Sequence, residues 1–417
     1  MKVLIIGGGI GGLVTALELH RRGIEAHVYE SVDNVVPLGV GINLLPHAMK
    51  NLIELGLLGP LLATGIETKD LGFYNKFGKL IWQEPRGREA GYNVPQLSIH
   101  RGELQVLLLN AARERFGERI HTGHHLREFR QTSDGKIAAT FVDRHSGAPV
   151  GEAAGDVLIG ADGLHSTVRQ MLHPNEVRPA WSGIMFWRGA IEGENFLSGR
   201  SMVMVGYPER KFIAYPISKP HHDRGRALIN WAIDVQVAHS GDFRPQDWNR
   251  RGNREDFLPL YEDWKFDWLD VPDILRRTEA VFEFPCIDRD PLDRWTFGRA
   301  TLLGDAAHPL RPMGSNAGAQ AIRDARAIAE ALAQHADIDA ALAAYENDRR
   351  PATTKILLSN RTNGPERVMA MVEERAPNGF SDLHTVITQE ELQRVADEYK
   401  QIAGFDRESV NAGVAAA

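Results

Sequence analysis

KVLIIGGGIGGLVTALELHRRGIEAHVYE, residues Lys2 to Glu30, opens with a short strand and runs straight into glycines. KVLII is apolar and β-branched, Leu13, Ala16, Leu17 and Leu19 start a helix directly after the glycines, and a second strand begins at Ile24. Strand, helix and strand within about thirty residues make a βαβ unit, which implies a parallel sheet covered on both faces. The turn between the first strand and the helix reads Gly7-x-Gly9-x-x-Gly12. Gly7 permits the tight turn, Gly9 lets a pyrophosphate approach the backbone, and Gly12 lets helix and strand pack closely, at a helix N-terminus with a partial positive charge of about 0.5. Glu30 ends the second strand eighteen residues after Gly12, where a carboxylate accepts both hydroxyls of an adenosine ribose and repels a phosphate on it. The expected ligand is FAD or NAD rather than NADP, and this motif alone does not choose between the two.

Two further strands end in glycine and aspartate. DVLIGADGLHSTVR carries Asp162 and Arg169, and TLLGDAAHPLRPMGSNAGAQAI, from Thr301 to Ile322, carries Gly304 and Asp305. In the second, a strand-end carboxylate aimed at a hydroxyl is followed by Pro309, Pro312, Gly314, Gly318 and a helix N-terminus, a place for another polar or anionic group. Two such turns suggest one long ligand. After Asn316 the apolar residues Ala321, Ile322, Ala325, Ile328, Ala329 and Leu332 share one helical face.

Between these strands the texture changes. GIMFWRGAI, SMVMVGY, KFIAYPIS and RALINWAID are short, rich in aromatic and β-branched residues and separated by turns, as in a mostly antiparallel sheet. The expected fold is α/β: a discontinuous Rossmann-like dinucleotide domain (residues 1–180 plus 285–350, with part of the substrate region near 70–100), an inserted substrate-binding sheet (181–284) and a helical C-terminal region (351–417). LYEDWKFDWLDVP reads as a surface helix with a buried aromatic face.

The composition limits the partners. A hydrophobic fraction of 43%, a charged fraction of 25% and a net charge of -7 are those of an ordinary globular protein and give no footing for nucleic acid. The lone Cys286 cannot form an internal disulfide and reads as a small buried residue, which suits a reducing cytoplasm. Five glycines and Glu18 interrupt the apolar N-terminal run, so neither a signal peptide nor a membrane span is expected, and no stable membrane association. The histidines of HTGHH have no metal spacing and read as a solvated loop; no metal is expected.

With these motifs in this order, and HRGELQ at His100 to Gln105, the chain resembles the single-component FAD-dependent aromatic hydroxylases of the hydroxybenzoate and salicylate hydroxylase type. PLGVGINLLP, SIHRGELQ, MFWRG, AYPISK, DRDPL and LLGDAAH resemble most the phenazine-carboxylate hydroxylase branch. The resemblance implies that Gly7, Gly9, Gly12 and Glu30 hold the ADP half of FAD, with Arg101 and Gln105 near the ribose and pyrophosphate. It puts Asp162 and Arg169 near the pyrophosphate and the NAD(P)H approach, Gly304 and Asp305 on the ribityl chain, and the loop from Pro309 to Gly318 along the flavin ring. PMGSNAG departs from the Gly-Gln-Gly type loop of many relatives, which sets Asn316 in an altered context. NADH or NADPH would reduce the flavin, dioxygen would add to it as a hydroperoxide, and an oxygen atom would pass to a small aromatic ring. Pro309 would lie near the reacting carbon, Arg188 and Arg311 could anchor a substrate carboxylate, and Tyr215 could offer a pocket hydroxyl. The chain would work as a monomer or homodimer. Two other readings remain at this stage: a flavin oxidase or dehydrogenase of a small amine or alcohol, and a non-catalytic carrier on the same fold.

Overall fold

A computed structural model of the chain describes residues 1–37, 39–176, 180–237 and 250–413. The Lys2–Ile6 strand lies at the centre of a five-stranded parallel sheet ordered Ala300–Leu302, Val157–Gly160, Lys2–Ile6, Glu25–Tyr29 and Ile120–His121. Val3, Leu4 and Ile5 are fully buried, as a strand covered on both faces requires. The three strands that end in glycine-rich turns are adjacent. Their ends are tied by Ala161 N–H to Ile6 O at 2.8 Å and Leu303 N–H to Gly160 O at 2.9 Å. All three turns therefore open at the carboxyl edge of the sheet, where open parallel sheets bind ligands.

The helix Ile10–Arg21 packs on the helix Ala317–Gln334. Gly11 faces both that helix and the strand end, since a Cβ there would stand 3.5 Å from Ala321 Cβ and 2.8 Å from Leu303 Cδ2. Ile322, Ala325, Ile328, Ala329 and Leu332 are buried along the second helix, and Ala321 is half-buried. The first and last glycine-rich turns are thus side by side although some three hundred residues separate them.

The second sheet has seven strands in the order Phe282–Asp288, Ala180–Glu194, Arg226–Gln236, Arg210–Pro216, Ser201–Tyr207, Asp70–Tyr74 and Leu80–Pro85. It is antiparallel except where Ser201–Tyr207 runs parallel to Asp70–Tyr74. Successive side chains point to opposite faces. Val203, Val205, Phe212, Ala214, Trp231 and Ile233 pack one face against Phe257, Tyr261 and Trp264. On the other face the register aligns Phe282, Arg188, Ala232, Ile213, Met204, Phe73 and Trp82 in one row across the strands. The C-terminal helices Arg367–Arg375 and Gln389–Ala403 cover the far end of that face, with Val368, Met369, Val372 and Val395 against Leu71, Phe73, Met202 and Met204. The helix Ile338–Arg361 runs unbroken through residue 351, where the expected C-terminal region begins.

LYEDWKFDWLDVP is not a surface helix. Leu258–Tyr261 is a single 3₁₀ turn, and Lys265–Phe266 pairs with Leu269–Asp270 as a minimal hairpin. Tyr261 and Trp264 are buried against the sheet, while the residues between them turn to solvent. The histidines of HTGHH also differ from a solvated loop, because the rings of His121 and His124 pack on Tyr29 at centroid distances of 4.6 and 5.9 Å.

Two glycines of the first turn have opposite surroundings. A Cβ at Gly12 would stand 2.0 Å from Gly7 O, whereas one at Gly9 would meet nothing within 4 Å. Gly12→Ala is expected to cost about 1–3 kcal/mol through overpacking, and Gly9→Ala less than about 1 kcal/mol as a change of helix cap. Denaturant unfolding of the two variants checks the contrast.

Candidate active site

Glu30 is held by the loop it faces. Its Oε2 accepts the Gly8 N–H at 2.7 Å and its Oε1 accepts the Val32 N–H at 3.0 Å. Gln105 Nε2 donates to Gly8 O at 2.9 Å, and one helical turn earlier Arg101 stands exposed at the start of the helix Arg101–Phe116. Gly7 has φ +108°, and a Cβ there would strike Ala161 O at 2.4 Å. Gly9 caps the helix Ile10–Arg21 with no side chain bonded to the helix end. The open space in front of Gly9 and the free N–H groups behind it form a cradle for a diphosphate.

The downstream turn supplies an acid. Gly304, with φ +61°, starts a 3₁₀ turn whose next residue is Asp305. The Asp305 side chain is open to solvent but stands between protein walls. The burial raises its carboxyl above the usual aspartate value, against the opposing pull of His308 and Arg101. Arg101, exposed at the start of its own helix, is near enough to act on it.

A buried network fixes this turn. Asp324, fully buried on the helix Ala317–Gln334, accepts from Gly304 N–H at 3.1 Å, His308 Nε2 at 2.5 Å and Arg349 Nε at 2.7 Å. Arg349 Nη2 continues to Gln320 Oε1 at 2.6 Å, and Gln320 Nε2 to Asn316 Oδ1 at 3.0 Å. Burial alone would raise the Asp324 carboxyl, but His308 and Arg349 outweigh it and hold it at about 2. Neither Asp324 nor Arg349 stands out in the sequence. The available signal is the pair Gln320 and Asp324, two polar residues one turn apart on an otherwise apolar helix face.

Asp162 and Arg169 serve the frame of the turns. Asp162 accepts from Ser166 Oγ and from Val168 N–H at 3.2 Å, at the start of the helix Thr167–Leu172. Arg169, 2% exposed, grips Glu176 with Nε at 2.7 Å and holds the carbonyls of Ala306 and Ala307 with Nη1 at 3.0 and 3.1 Å. Its charge is spent on the Asp305 turn and on Glu176. Gly318 lies in the first turn of its helix, where a Cβ would stand 2.7 Å from Ile42 Cδ1. Pro309 and Arg311 are half-buried in the loop, whose Arg311 carbonyl accepts from Asn360 Nδ2 at 3.0 Å.

The sheet forms the other wall. Met313 of the loop packs with Phe186, Phe284 and Cys286, beside Arg188. The Arg188 guanidinium lies 5.2 Å from the Phe284 ring centroid and 5.9 Å from that of Phe186. Its Nε is buried with no hydrogen-bond partner, and no carboxylate among the described residues pairs with it. Burial pulls its pKa down, Tyr215 and more weakly Asp234 push it up, and Arg101 adds to the depression, so the two guanidiniums and the hydroxyl share one neighbourhood. Tyr215 is 7% exposed, its ring lies where a Gly41 Cβ would reach 2.7 Å, and burial pushes its hydroxyl up to about 12, so it stays protonated.

A cleft with a diphosphate cradle at one end, a carboxylate for a polyol midway and an aromatic-lined sheet facing a glycine-rich loop at the other defines a flavin-dependent oxygenase. The chain belongs to the FAD binding domain family, which residues 1–234 and 284–359 match. It is 47% identical over 362 residues to phenazine 1,6-dicarboxylic acid hydroxylase of Lysobacter antibioticus, covering 86% of this chain and 89% of that one. It is 29% identical over 376 residues to 3-hydroxybenzoate 6-hydroxylase of Polaromonas naphthalenivorans, covering 87% of each. Klebsiella pneumoniae HpxO, solved with FAD and uric acid, shares the fold at TM-score 0.74 and 22% identity, over 99% of this chain and 97% of that one. The protein is an FAD-dependent, NAD(P)H-consuming aromatic monooxygenase. The amine or alcohol oxidase and the non-catalytic carrier give way to it.

Asp305→Ala is expected to weaken FAD retention about 10- to 100-fold, the equivalent of roughly 1.5–3 kcal/mol for a hydrogen bond to a charged group; equilibrium dialysis or flavin fluorescence reads the change. Asp324 gives a pH signature. Its folded pKa lies below the unfolded value, so its contribution is complete above about pH 4 and is lost as pH falls from about 4 to about 2. Asp324→Asn should remove about 2 kcal/mol of that acid-side slope in stability, measured by denaturant unfolding across the window.

Proposed function

We propose that the substrate is a carboxylated aromatic of the fused N-heteroaromatic kind, and that Arg188 is its carboxylate anchor. The supporting observation is the guanidinium itself, half-buried on the cleft face of the sheet, with its Nε buried and unpartnered and no ion pair to an acid among the described residues. A charge partly withdrawn from water gains from a bidentate carboxylate. The phenazine 1,6-dicarboxylic acid hydroxylase at 47% identity supports the ring class.

Bound FAD, reduced by NADH or NADPH, supplies the activation of dioxygen. The chain's own residues do the rest. Glu30, the Gly7–Gly12 turn, Arg101 and Gln105 hold the adenosine diphosphate, and Asp305 takes the ribityl hydroxyls. The N–H groups at the start of the Ala317–Gln334 helix favour negative charge on the ring beside them. Pro309 and Arg311 border the ring from the loop. Tyr215, protonated near neutral pH, donates a hydrogen bond to a substrate oxygen. Phe186, Phe284, Met313 and Met204 exclude water, on which efficient oxygen transfer depends. The lone, buried Cys286 suits work in the cytoplasm, as a monomer or homodimer.

Arg188→Gln is expected to raise the KM and dissociation constant for phenazine-1-carboxylate about 10- to 100-fold, leaving unsubstituted phenazine unaffected. Substrate-stimulated NADH or NADPH oxidation, with the hydroxylated product checked by mass, measures it. Equal losses for both compounds would set the anchor role aside, and failure of aromatic acids to stimulate oxidation would set aside the substrate class.

A further inference from the structure

The face of the sheet that carries Arg188 holds a second group of charges beside it. In the register Phe186 faces Asp234, and Asp234 faces Lys211 on the next strand. Arg188 is opposite Ala232, so Arg188 and Asp234 are diagonal neighbours on one face, about 7–8 Å apart at the usual spacing. Lys211 Nζ lies 3.0 Å from Asp234 Oδ2 and 2.5 Å from Glu366 Oε2, the second acid coming from the 3₁₀ turn Gly364–Glu366. All three side chains are buried, and Asp234 Oδ1 is buried with no hydrogen-bond partner. Against its burial, the two acids hold the Lys211 ammonium above its ordinary pKa. Burial lifts the Asp234 carboxyl, Lys211 pulls it back, and Glu366 lifts it again. The other groups nearby stay out of the acid range. Tyr215 on the same face, Tyr261 behind the sheet with Tyr207 and Arg210 around it, and Tyr399 near Glu366 are all pushed up by burial or positive at neutral pH, and Cys286 borders Arg188 from the edge strand.

Arg188 and Lys211 are positive, Asp234 and Glu366 negative, so the group is neutral as it stands. A carboxylate arriving on Arg188 leaves it with one negative charge in excess, in surroundings where an uncompensated charge is expensive. Lys211 is gripped by two acids and keeps its proton, and Glu366 has an oxygen committed to Lys211 at 2.5 Å. Asp234 Oδ1 is the oxygen left without a partner. We infer that Asp234 is the proton acceptor that balances an incoming substrate carboxylate, so that the enzyme takes up a proton from solvent with a carboxylated aromatic and none with an uncharged one. Asp234 acts through Arg188 and is a positioning residue, one that sets the affinity for acids against neutral rings. This rests on the reading of Arg188 as the carboxylate anchor. The sign follows from linkage. The ligand raises the Asp234 pKa, the complex then holds more protons than the free enzyme, and affinity for the acid rises as pH falls through the interval between the two values.

Isothermal titration calorimetry of the FAD-loaded enzyme, without NADH or NADPH and in paired buffers of different ionisation enthalpy, counts the protons exchanged on binding. Between about pH 5.5 and 7.5, where an aromatic carboxylate stays ionised, phenazine-1-carboxylate should bring an uptake that rises toward about one proton per ligand at the acid end, and unsubstituted phenazine none. Asp234→Asn leaves the group one positive charge in excess before binding. Its uptake should vanish, and it should bind the acid about 3- to 30-fold more tightly than wild type at about pH 7.5, with phenazine changed by less than about twofold. A purely structural role for Asp234 predicts weaker binding of both compounds instead. Glu366→Gln shifts the same balance from the other side of Lys211 and should also abolish the uptake, which keeps the test open if Asp234→Asn yields no folded protein. No uptake by wild type with the acid, or uptake that survives both substitutions, overturns the inference. If Arg188→Gln weakens the acid while wild type takes up no proton, the inference falls alone; if Arg188→Gln leaves the acid unchanged, the anchor reading falls and this inference with it.

Discussion

The site depends on one buried carboxylate. Asp324 receives the Gly304 N–H, His308 and Arg349 at once, and through them fixes the turn that presents Asp305. An anion at that depth is tolerable only because its oxygens are filled and a cation is beside it; an unpaired one would cost several kcal/mol. The same carboxylate ties the Gly304–His308 turn to the Ile338–Arg361 helix. Arg169 closes the turn from below by holding the Ala306 and Ala307 carbonyls. Asp305 is therefore free of structural duties and can spend its oxygens on a ligand.

The two halves of the cleft are built on different logic. On the parallel sheet the turns offer glycines, helix ends and positive φ together with the carboxylates of Glu30 and Asp305. On the antiparallel sheet the cleft face is a cross-strand row of side chains, Arg188, Ala232, Ile213 and Met204. Arg188 illustrates the difference, since its positive charge sits over aromatic rings rather than beside an acid.

The cofactor half was largely legible in the sequence because its demands are steric and local. Only glycine fits at position 7, with φ +108°, and at position 12, against a carbonyl; such needs leave a spaced motif. The Asp324 network left only the Gln320 and Asp324 pair, because Asp324 and Arg349 lie twenty-five residues apart on two helices and meet only through their packing. The partners of Arg169, Glu176 and the carbonyls of Ala306 and Ala307, are likewise invisible in the sequence, since they meet it only in the fold. In LYEDWKFDWLDVP the aromatics at 261, 264 and 268 imitate a helical stripe, yet a two-residue turn at Asp267 and Trp268 folds the segment into a hairpin.

The alternation of the seven-stranded sheet separates two tasks that most cores combine. Phe212, Ala214, Trp231 and Ile233 carry the packing on one face, and their immediate neighbours Lys211, Ile213, Tyr215, Asn230 and Ala232 turn to the other. Ala232 and Ile213 share the face of Arg188, away from the aromatic core behind them. The face that packs and the face that meets the cleft are therefore carried by different residues of the same strands.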